Sequence, residues 1–262
     1  MDLSDLARAL EFDRRIVERL STDRIPFPGG VAYLDRGFPK RYDSNFLSVR
    51  DARGATAQRL SAEADRILGG AGLEHRKIEL SDPAAPDVLA MGFADLGYAI
   101  ENTVVMVLGR IADRSRDPEA VEDHGFDDEI RHLQTEITRR EKWAVDEEVV
   151  TMLVDHHGKL ANTIGARFFA ARVDGRLVGS CELYLDGDEA QIESVDTLEE
   201  YRGRGLASAF VLRAAAEARA AGATWIHLYA DGDDWPQQWY AKLGFDEVGR
   251  LRAVLRTPNP TA

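Results

Sequence analysis

The sequence predicts an α/β protein of the α+β type, with a mixed, mostly antiparallel sheet flanked by helices. Segments with helical periodicity alternate with β-prone segments along the chain. Residues 167–173 and 176–185 flank an Asp-Gly pair, a strong hairpin signal that indicates antiparallel strands. The two halves of the chain also share one order of elements, which favours two similar units in tandem.

Composition limits the classes of partner. The chain has 262 residues, 44% of them hydrophobic, enough for the core of one large domain or two small ones. Its formal net charge of −13 argues against nucleic-acid binding, because contact with phosphates needs a basic face. The same charge is compatible with a cationic small molecule or with simple solubility.

The cysteine content and the hydropathy of the sequence indicate the cellular compartment in which the protein is expected. The lone Cys181 excludes an internal disulfide and a metal site built from several cysteines. Residues 1–12 are acidic and amphipathic, unlike a signal peptide, and no apolar run is long enough to span a bilayer. We therefore expect a cytoplasmic protein without a membrane partner; the oligomeric state is not predicted.

The first half of the chain contains recognisable helical and strand segments. The periodicity and the breakers predict helices over 2–20, 56–72 and 82–98, and strands within 31–49, 74–80 and 102–109. Residues 113–129 are polar, with Pro118 and Gly125, and we interpret them as a connector between two units. The predicted domains are residues 1–115 and 116–262.

The second half ends in a glycine-rich loop followed by further helices and strands. The predicted order is helices over 127–142 and 146–161, strands over 167–173, 176–185 and 190–197, a loop over 198–205, a helix over 206–222, a strand over 224–230, a helix over 235–245 and a final strand over 250–256. Gly203 and Gly205 let a ligand approach the backbone, and the following helix start leaves N–H groups unpaired. This combination predicts an anion site, most plausibly for a phosphate.

The two halves align without a gap over residues 93–110 and 240–257. Five positions coincide, namely Ala94 with Ala241, Leu96 with Leu243, Gly97 with Gly244, Val107 with Val254 and Leu108 with Leu255. Phe93, which has no proton to give, stands opposite Tyr240, and residues 50–58 contain a single glycine. We interpret the first half as a degenerate copy without catalytic activity.

Two motifs of the second half resemble those of the GCN5-related N-acetyltransferase (GNAT) family. The loop motif of that family is met by Arg202, Gly205 and Ala207. A second motif, Tyr-x-x-Leu-Gly-Phe, is met from Tyr240 to Phe245, one helix and one strand later. The resemblance covers residues 127–256 and implies a GNAT fold and transfer from acetyl-CoA.

The resemblance implies where acetyl-CoA would bind. The loop and helix start would hold the pyrophosphate, and a splayed strand edge would pair with the amides of the pantetheine arm. The implied cofactor-binding residues are Val195, Asp196, Thr197, Arg202, Gly203, Arg204, Gly205, Leu206, Ala207 and Ser208. A backbone N–H at the splay would also polarise the thioester carbonyl.

A few residues are candidates for the proton donor and the general base of acetyl transfer. The resemblance puts the proton donor to the leaving thiolate on Tyr240. Glu193, in the middle of its strand, is the candidate base, and Glu189 the second candidate, although a solvent-facing position is expected for Glu189. His156 and His157 are interpreted as ordinary helix-surface or groove residues, and no metal site is predicted.

The segment after residue 230 departs from the family pattern. Asp233 stands where many members carry an asparagine, and we expect it to cap the following helix near Trp235. With Asp231 and Asp234 it could also line a site for a cationic acceptor, or be solvated loop charge. Trp235 and Trp239 are interpreted as packing residues.

The function implied is an N-acetyltransferase that acetylates an amine of a small molecule or protein. The alternative is a non-catalytic acyl-CoA-binding sensor or interaction module. A dinucleotide fingerprint over Gly203, Gly205 and Ser208 is disfavoured, because antiparallel strands and residues 198–201 precede the loop. The tandem arrangement also resembles mycothiol synthase. The acceptor and the acyl-chain length are not defined by the sequence.

Overall fold

The chain forms two compact units, in a computed structural model that describes residues 3–110, 121–141, 144 and 146–258. The first unit comprises Met1–Val105, Ala230–Asp234 and Val248–Ala262, and the second comprises Met106–Tyr229 and Trp235–Glu247. The predicted boundary between residues 115 and 116 lies outside the described residues and stays a prediction.

Helices and strands follow one another closely in both halves of the chain. The first half contains α1 (Leu3–Leu20), β1 (Asp23–Phe27), β2 (Gly30–Leu34), β3 (Phe46–Val49), α2 (Ala57–Ala64), β4 (Arg76–Leu80), α3 (Asp87–Met91) and β5 (Ala99–Leu108). The second half contains β6 (Val121–His124), α4 (Asp128–Arg139), α5 (Glu147–Ile164), β7 (Arg167–Val173), β8 (Arg176–Asp186), β9 (Glu189–Thr197), α6 (Leu206–Ala220), β10 (Trp225–Asp231), α7 (Pro236–Lys242) and β11 (Phe245–Arg256).

The sheet of the first unit is built around β4. Strands β1, β2 and β3 pair in antiparallel fashion, and β3 pairs with β4 in parallel. On its other side β4 pairs antiparallel with β11, where Val254 stands opposite Ile78. These two residues and Leu47 are fully buried in the core beneath α2. The final strand of the chain thus completes the sheet of the first unit.

The sheet of the second unit is also mostly antiparallel. Strands β6, β7, β8 and β9 pair antiparallel in that order, and β9 pairs with β10 in parallel. Ile130 and Leu133 of α4 pack against Phe168 of β7 in its core. Both units therefore confirm the predicted fold class.

One segment of the predicted connector is a strand. Residues 121–124 form β6, although only Val121 of the four is buried. A polar edge strand has no alternating apolar pattern, which is why the sequence did not reveal it. The remainder of the connector from 113 to 120 lies outside the described residues.

The starts of α4 and α5 follow the sequence signals closely. Asp127 accepts a hydrogen bond from the N–H of Ile130 at 2.9 Å, and Asp146 accepts one from Val149 at 2.8 Å. Both carboxylates satisfy amides that have no partner within the helix. Both predicted helices are confirmed.

Candidate active site

The loop between β9 and α6 presents backbone amides at its end. Gly203 and Gly205 have φ angles of 76° and 83°, which glycine adopts without the steric cost that other residues incur. Gly205 is the N-cap residue of α6, and no side chain in the described part of the protein caps that helix. The first amides of α6 are therefore available to an anion, with the helix dipole behind them.

The arginines of the loop are tied to the local backbone. Arg202 donates from Nε to the carbonyl oxygen of Thr197 at 3.0 Å. Arg204 donates to the carbonyl oxygen of Glu200 at 3.2 Å, and its guanidinium lies 5.0 Å from the centre of the Tyr201 ring. These contacts fix the course of the loop from the end of β9 to the start of α6.

Strand β9 separates from β10 beside this loop. The parallel pairs run from Glu189 with Trp225 to Ile192 with Leu228, and β9 continues beyond them to Thr197. A strand edge with available backbone groups is therefore exposed from residue 193 onward.

A bulge in β9 coincides with this separation. Ser194 and Val195 together stand opposite the single residue Cys181 of β8, because the pairs on either side are Glu182 with Glu193 and Ser180 with Asp196. Ser194 has a φ of 50°, a left-handed conformation that costs a non-glycine residue about 1–3 kcal/mol. The bulge bends β9 at the point where the pairing with β10 ends.

Tyr240 lies on α7 in a buried, acidic environment. It is 7% exposed, and its ring packs edge-on against Phe245, with 6.1 Å between ring centres. Burial raises the pKa of the Tyr240 hydroxyl strongly, and the neighbouring carboxylates of Glu193 and Asp196 raise it further. The Tyr240 hydroxyl therefore keeps its proton at neutral pH and can donate it.

A hydrogen bond connects α7 with the start of α6. Trp239 donates from Nε1 to Oγ of Ser208 at 3.1 Å. The helix that carries Tyr240 and the helix that begins at the glycine loop are thus held together.

Glu193 is held on β9 by its neighbour. Its Oε1 accepts a hydrogen bond from Nε2 of Gln191 at 2.7 Å, and the residue is half-buried. Glu189, which we expected to face solvent, is buried instead. The start of β9 is covered, so the expectation for Glu189 was wrong.

Asp196 and Thr197 lie where β9 meets the loop. Burial raises the pKa of Asp196 to about 6, with a further increase from Glu141 and smaller decreases from Arg202 and His157. Thr197 is 8% exposed, and among the residues that the structure describes its Oγ1 has no hydrogen-bond partner. A buried hydroxyl without a partner is costly and indicates a position completed by a ligand or water.

The sequence analysis missed a buried carboxylate on β8. Glu182 is fully buried, and it accepts hydrogen bonds from Nδ1 of His157 and from the hydroxyl of Tyr184. The signal was present: Glu182 is the single charged residue in the apolar stretch from Leu177 to Leu185. The interpretation of both histidines as surface or groove residues was incomplete, because His156 is buried and His157 binds this carboxylate.

Two expectations for the segment after β10 were wrong. Asp233 does not cap α7, whose N-cap residue is Trp235 and which has no side-chain cap among the described residues. Instead both carboxylate oxygens of Asp233 accept hydrogen bonds from Nδ2 of Asn102, at 3.2 and 3.0 Å. Trp235 is 61% exposed and does not belong to the core, although its ring lies 6.1 Å from that of Trp239 between centres.

Neither a metal cluster nor a membrane span is present in the described parts of the chain. Within 3–110, 121–141, 144 and 146–258, histidine, cysteine and carboxylate side chains do not gather in threes around a possible metal position. Over the same residues, every helix is too short or too polar to cross a bilayer.

A family model matches most of the second half of the chain. Residues 127–245 match the family model described as the acetyltransferase (GNAT) family. This part of the chain is therefore similar to the GNAT family, in agreement with the resemblance of its loop and tyrosine motifs. No curated protein matches the sequence.

Solved structures with similar folds cover most of the chain. A functionally unknown conserved protein from Staphylococcus epidermidis matches with a TM-score of 0.71 at 18% identity, over 91% of this chain and 95% of its own. A GCN5-related N-acetyltransferase from Kribbella flavida matches with a TM-score of 0.63 at 15% identity, over 97% and 95%. A tandem GNAT protein from the clavulanic acid biosynthesis pathway matches with a TM-score of 0.55 at 17% identity, over 89% and 80%. At these levels of sequence identity, the similarity to the solved structures shows the fold alone.

Proposed function

We propose that the second unit is an N-acetyltransferase that moves the acetyl group of acetyl-CoA to the amine of a small molecule or protein. The observation that carries the proposal is the uncapped start of α6, which follows two left-handed glycines and lies beside the exposed edge of β9. Phosphate binding at such a helix start and amide pairing at such an edge are the two contacts that coenzyme A needs.

The residues present fit coenzyme A. The amides from Gly203 to Ala207, with Ser208 and the arginines Arg202 and Arg204, would surround the pyrophosphate. The backbone of Val195, Asp196 and Thr197 would pair with the pantetheine arm. The hydroxyl of Thr197, which lacks a partner among the described residues, supports this placement, because a polar ligand at the end of β9 would satisfy it.

Acid–base chemistry would fall on two side chains near the bulge. Acetyl-CoA supplies the acetyl group as a thioester. Glu193 would take the proton that the acceptor ammonium loses before it attacks the carbonyl carbon. Tyr240, which the surrounding acidic groups and burial keep protonated, would donate to the sulfur as the carbon–sulfur bond breaks. A backbone N–H at the bulge would donate to the carbonyl oxygen as negative charge develops there.

We also propose that the first unit is a degenerate copy of the same fold. The order from α1 to β5 repeats the order from α5 to β11, and in both the first three strands pair antiparallel and the third pairs in parallel with the fourth. Phe93 packs edge-on against Tyr98 at 5.1 Å between ring centres, as Tyr240 does against Phe245.

The start of α2 in the first unit differs from the start of α6, and the difference supports the absence of catalytic activity in the first unit. Thr56 caps α2, accepting a hydrogen bond from the N–H of Arg59 at 3.3 Å, so an amide that α6 offers is already used. With Phe93 at the tyrosine position, the first unit lacks both the open helix start and the proton donor.

The experiment that tests the function is release of coenzyme A from acetyl-CoA in the presence of a panel of amines, with mass spectrometry of the products. The panel includes polyamines, amino acids, aminoglycosides and lysine peptides. We expect an acetylated amine and coenzyme A in equal amounts. Binding of acetyl-CoA without turnover would favour the sensor alternative, and absence of binding would refute both.

A further inference from the structure

Glu182 occupies a position where a carboxylate is energetically unfavourable. It is fully buried on β8, and its two carboxylate oxygens accept from His157 of α5 and from Tyr184 of the same strand. A buried, paired carboxylate typically contributes less stability than an apolar side chain of the same volume. Fold stability alone therefore gives no reason for a glutamate here.

The position of Glu182 relative to Glu193 suggests a reason. The two residues are direct partners across β8 and β9, so their side chains lie on one face of the sheet. Side chains of directly opposite residues start only about 5 Å apart. A negative charge on Glu182 therefore makes ionisation of Glu193 less favourable, and Glu193 becomes a stronger base.

Other titratable and charged groups lie near Glu182, Glu193 or Asp196. They are His157 from α5, Tyr184 from β8, Tyr240 from α7, Asp196 from β9, Glu141 after α4 and Arg202 from the loop. His157 and Tyr184 donate hydrogen bonds to Glu182, and these two bonds stabilise a negative charge on it. The ring of His157 is itself held between Phe126 and Phe168, with 6.3 Å between ring centres in each case.

We propose that Glu182 and His157 are a positioning pair for the base Glu193, in which His157 keeps Glu182 ionised and the charge of Glu182 raises the basicity of Glu193. The proposal rests on the proposed function, in which Glu193 takes the proton of the acceptor. Both residues act through Glu193, without contact with the substrate.

The pair predicts the same effect for two different substitutions. Glu182→Gln removes the charge and keeps the shape of the side chain. His157→Ala removes a donor, which leaves the buried carboxylate to take up a proton and lose its charge. In both variants the acid limb of the kcat/KM profile should move to lower pH by about one unit, and the plateau should fall because the base is weaker. His157→Asn, whose amide can still donate to Glu182, should lie closer to the wild-type profile than His157→Ala does.

A measurement that needs no turnover separates this inference from the proposed function. Carbon-13 NMR of labelled glutamate carboxyl groups, with the Glu193 signal assigned from Glu193→Gln, follows the titration of Glu193 in the ligand-free protein. The midpoint should fall in Glu182→Gln and His157→Ala and fall less in His157→Asn, while far-ultraviolet circular dichroism verifies folding. A Glu193 midpoint within about 0.3 pH unit of wild type in folded Glu182→Gln would overturn the inference. Loss of a negative charge on the directly opposite residue should shift the midpoint by more than that. A shifted midpoint in a protein that acetylates no amine would leave the pair intact and refute the function.

Discussion

The carbonyl oxygen of Gly244 accepts a hydrogen bond from the N–H of Gly109, with 3.1 Å between nitrogen and oxygen, and a second from Arg110 at 3.3 Å. Gly244 has a φ of 99°, and a Cβ atom there would lie 2.4 Å from the carbonyl oxygen of Arg110. The glycine of the Tyr-x-x-Leu-Gly-Phe motif is thus required by the close approach of two backbone segments.

Gly244→Ala should lower the free energy of unfolding by about 2 kcal/mol or more, because it combines a left-handed alanine with a backbone clash. Gly187→Ala is the matched control. Gly187 has a φ of 64°, and within the described part of the chain no atom lies within 4 Å of its added Cβ, so it should lose only about 1 kcal/mol. Urea unfolding measures the free energy of unfolding of both variants. Equal losses would contradict a stabilising role for the close approach of Gly244 to the Arg110 backbone.

Gly205→Val should weaken acetyl-CoA binding at least about tenfold, or 1.4 kcal/mol. The branched side chain would stand where the phosphates approach the start of α6 and would disturb the left-handed backbone that places the amides. Isothermal titration calorimetry measures the affinity. Gly187→Val carries a comparable backbone penalty away from the loop and should bind as wild type; equal affinity of the two folded variants would remove the loop from the cofactor site.

Tyr240→Phe should reduce kcat at least about tenfold, some 1.4 kcal/mol in the barrier, with little change in acetyl-CoA affinity. The change removes one oxygen and keeps the packing against Phe245. Steady-state kinetics at saturating acetyl-CoA measure the effect. Tyr98→Phe removes a hydroxyl from the first unit and should leave kcat unchanged. Wild-type turnover by Tyr240→Phe, with chemistry rate-limiting, would assign Tyr240 to packing.

Acetyl-CoA should bind with a stoichiometry of one per chain. The start of α2 is capped by Thr56, and Phe93 replaces the tyrosine in the first unit. Calorimetry with protein of verified active concentration measures the number of sites. A second site that survives Gly205→Val would show that the first unit binds the ligand as well.

Asp196 makes stability fall as the pH rises through the weakly acidic range. Its pKa is about 6 in the folded protein against an ordinary 3.8, so the folded state binds more protons between these values. The contribution is complete below about pH 4 and is lost as the pH rises through about 6.

Asp196→Asn, which cannot ionise, should therefore gain on the order of 1–3 kcal/mol relative to wild type on going from about pH 4 to about pH 8. Denaturant unfolding of the ligand-free protein at a series of pH values measures this difference. The exposed Asp95→Asn serves as control and should follow wild type. Parallel curves for Asp196→Asn and wild type would contradict the assignment.

Local signals of the sequence predicted much of the fold. The helices predicted from residues 127 and 146 begin there in the structure, and the hairpin at Asp174 and Gly175 joins β7 to β8 as its turn residues indicated. These features depend on contacts between near neighbours in the chain, which composition and spacing reveal.

Features that depend on distant parts of the chain were not predictable. The bond between His157 and Glu182 joins a helix to a strand 25 positions later, and the pairing of β11 with β4 has no trace in the local pattern of either strand. The bulge at Ser194 places a polar residue in a left-handed conformation that an ordinary strand sequence does not indicate. The bond between His157 and Glu182 and the bulge at Ser194 lie in or near the candidate site, and the pairing of β11 with β4 completes the first unit.

The pairing of β11 with β4 has a consequence for biosynthesis. Arg256 of β11 is bonded to Asp65, 191 positions earlier, in the unit whose other strands are translated first. A ribosome synthesises residues 81–244 between these two strands, so one side of β4 stays uncovered in the nascent first unit until β11 emerges. During that interval the early part of the chain exposes the edge of β4, and its sheet is finished only after most of the second unit has been synthesised.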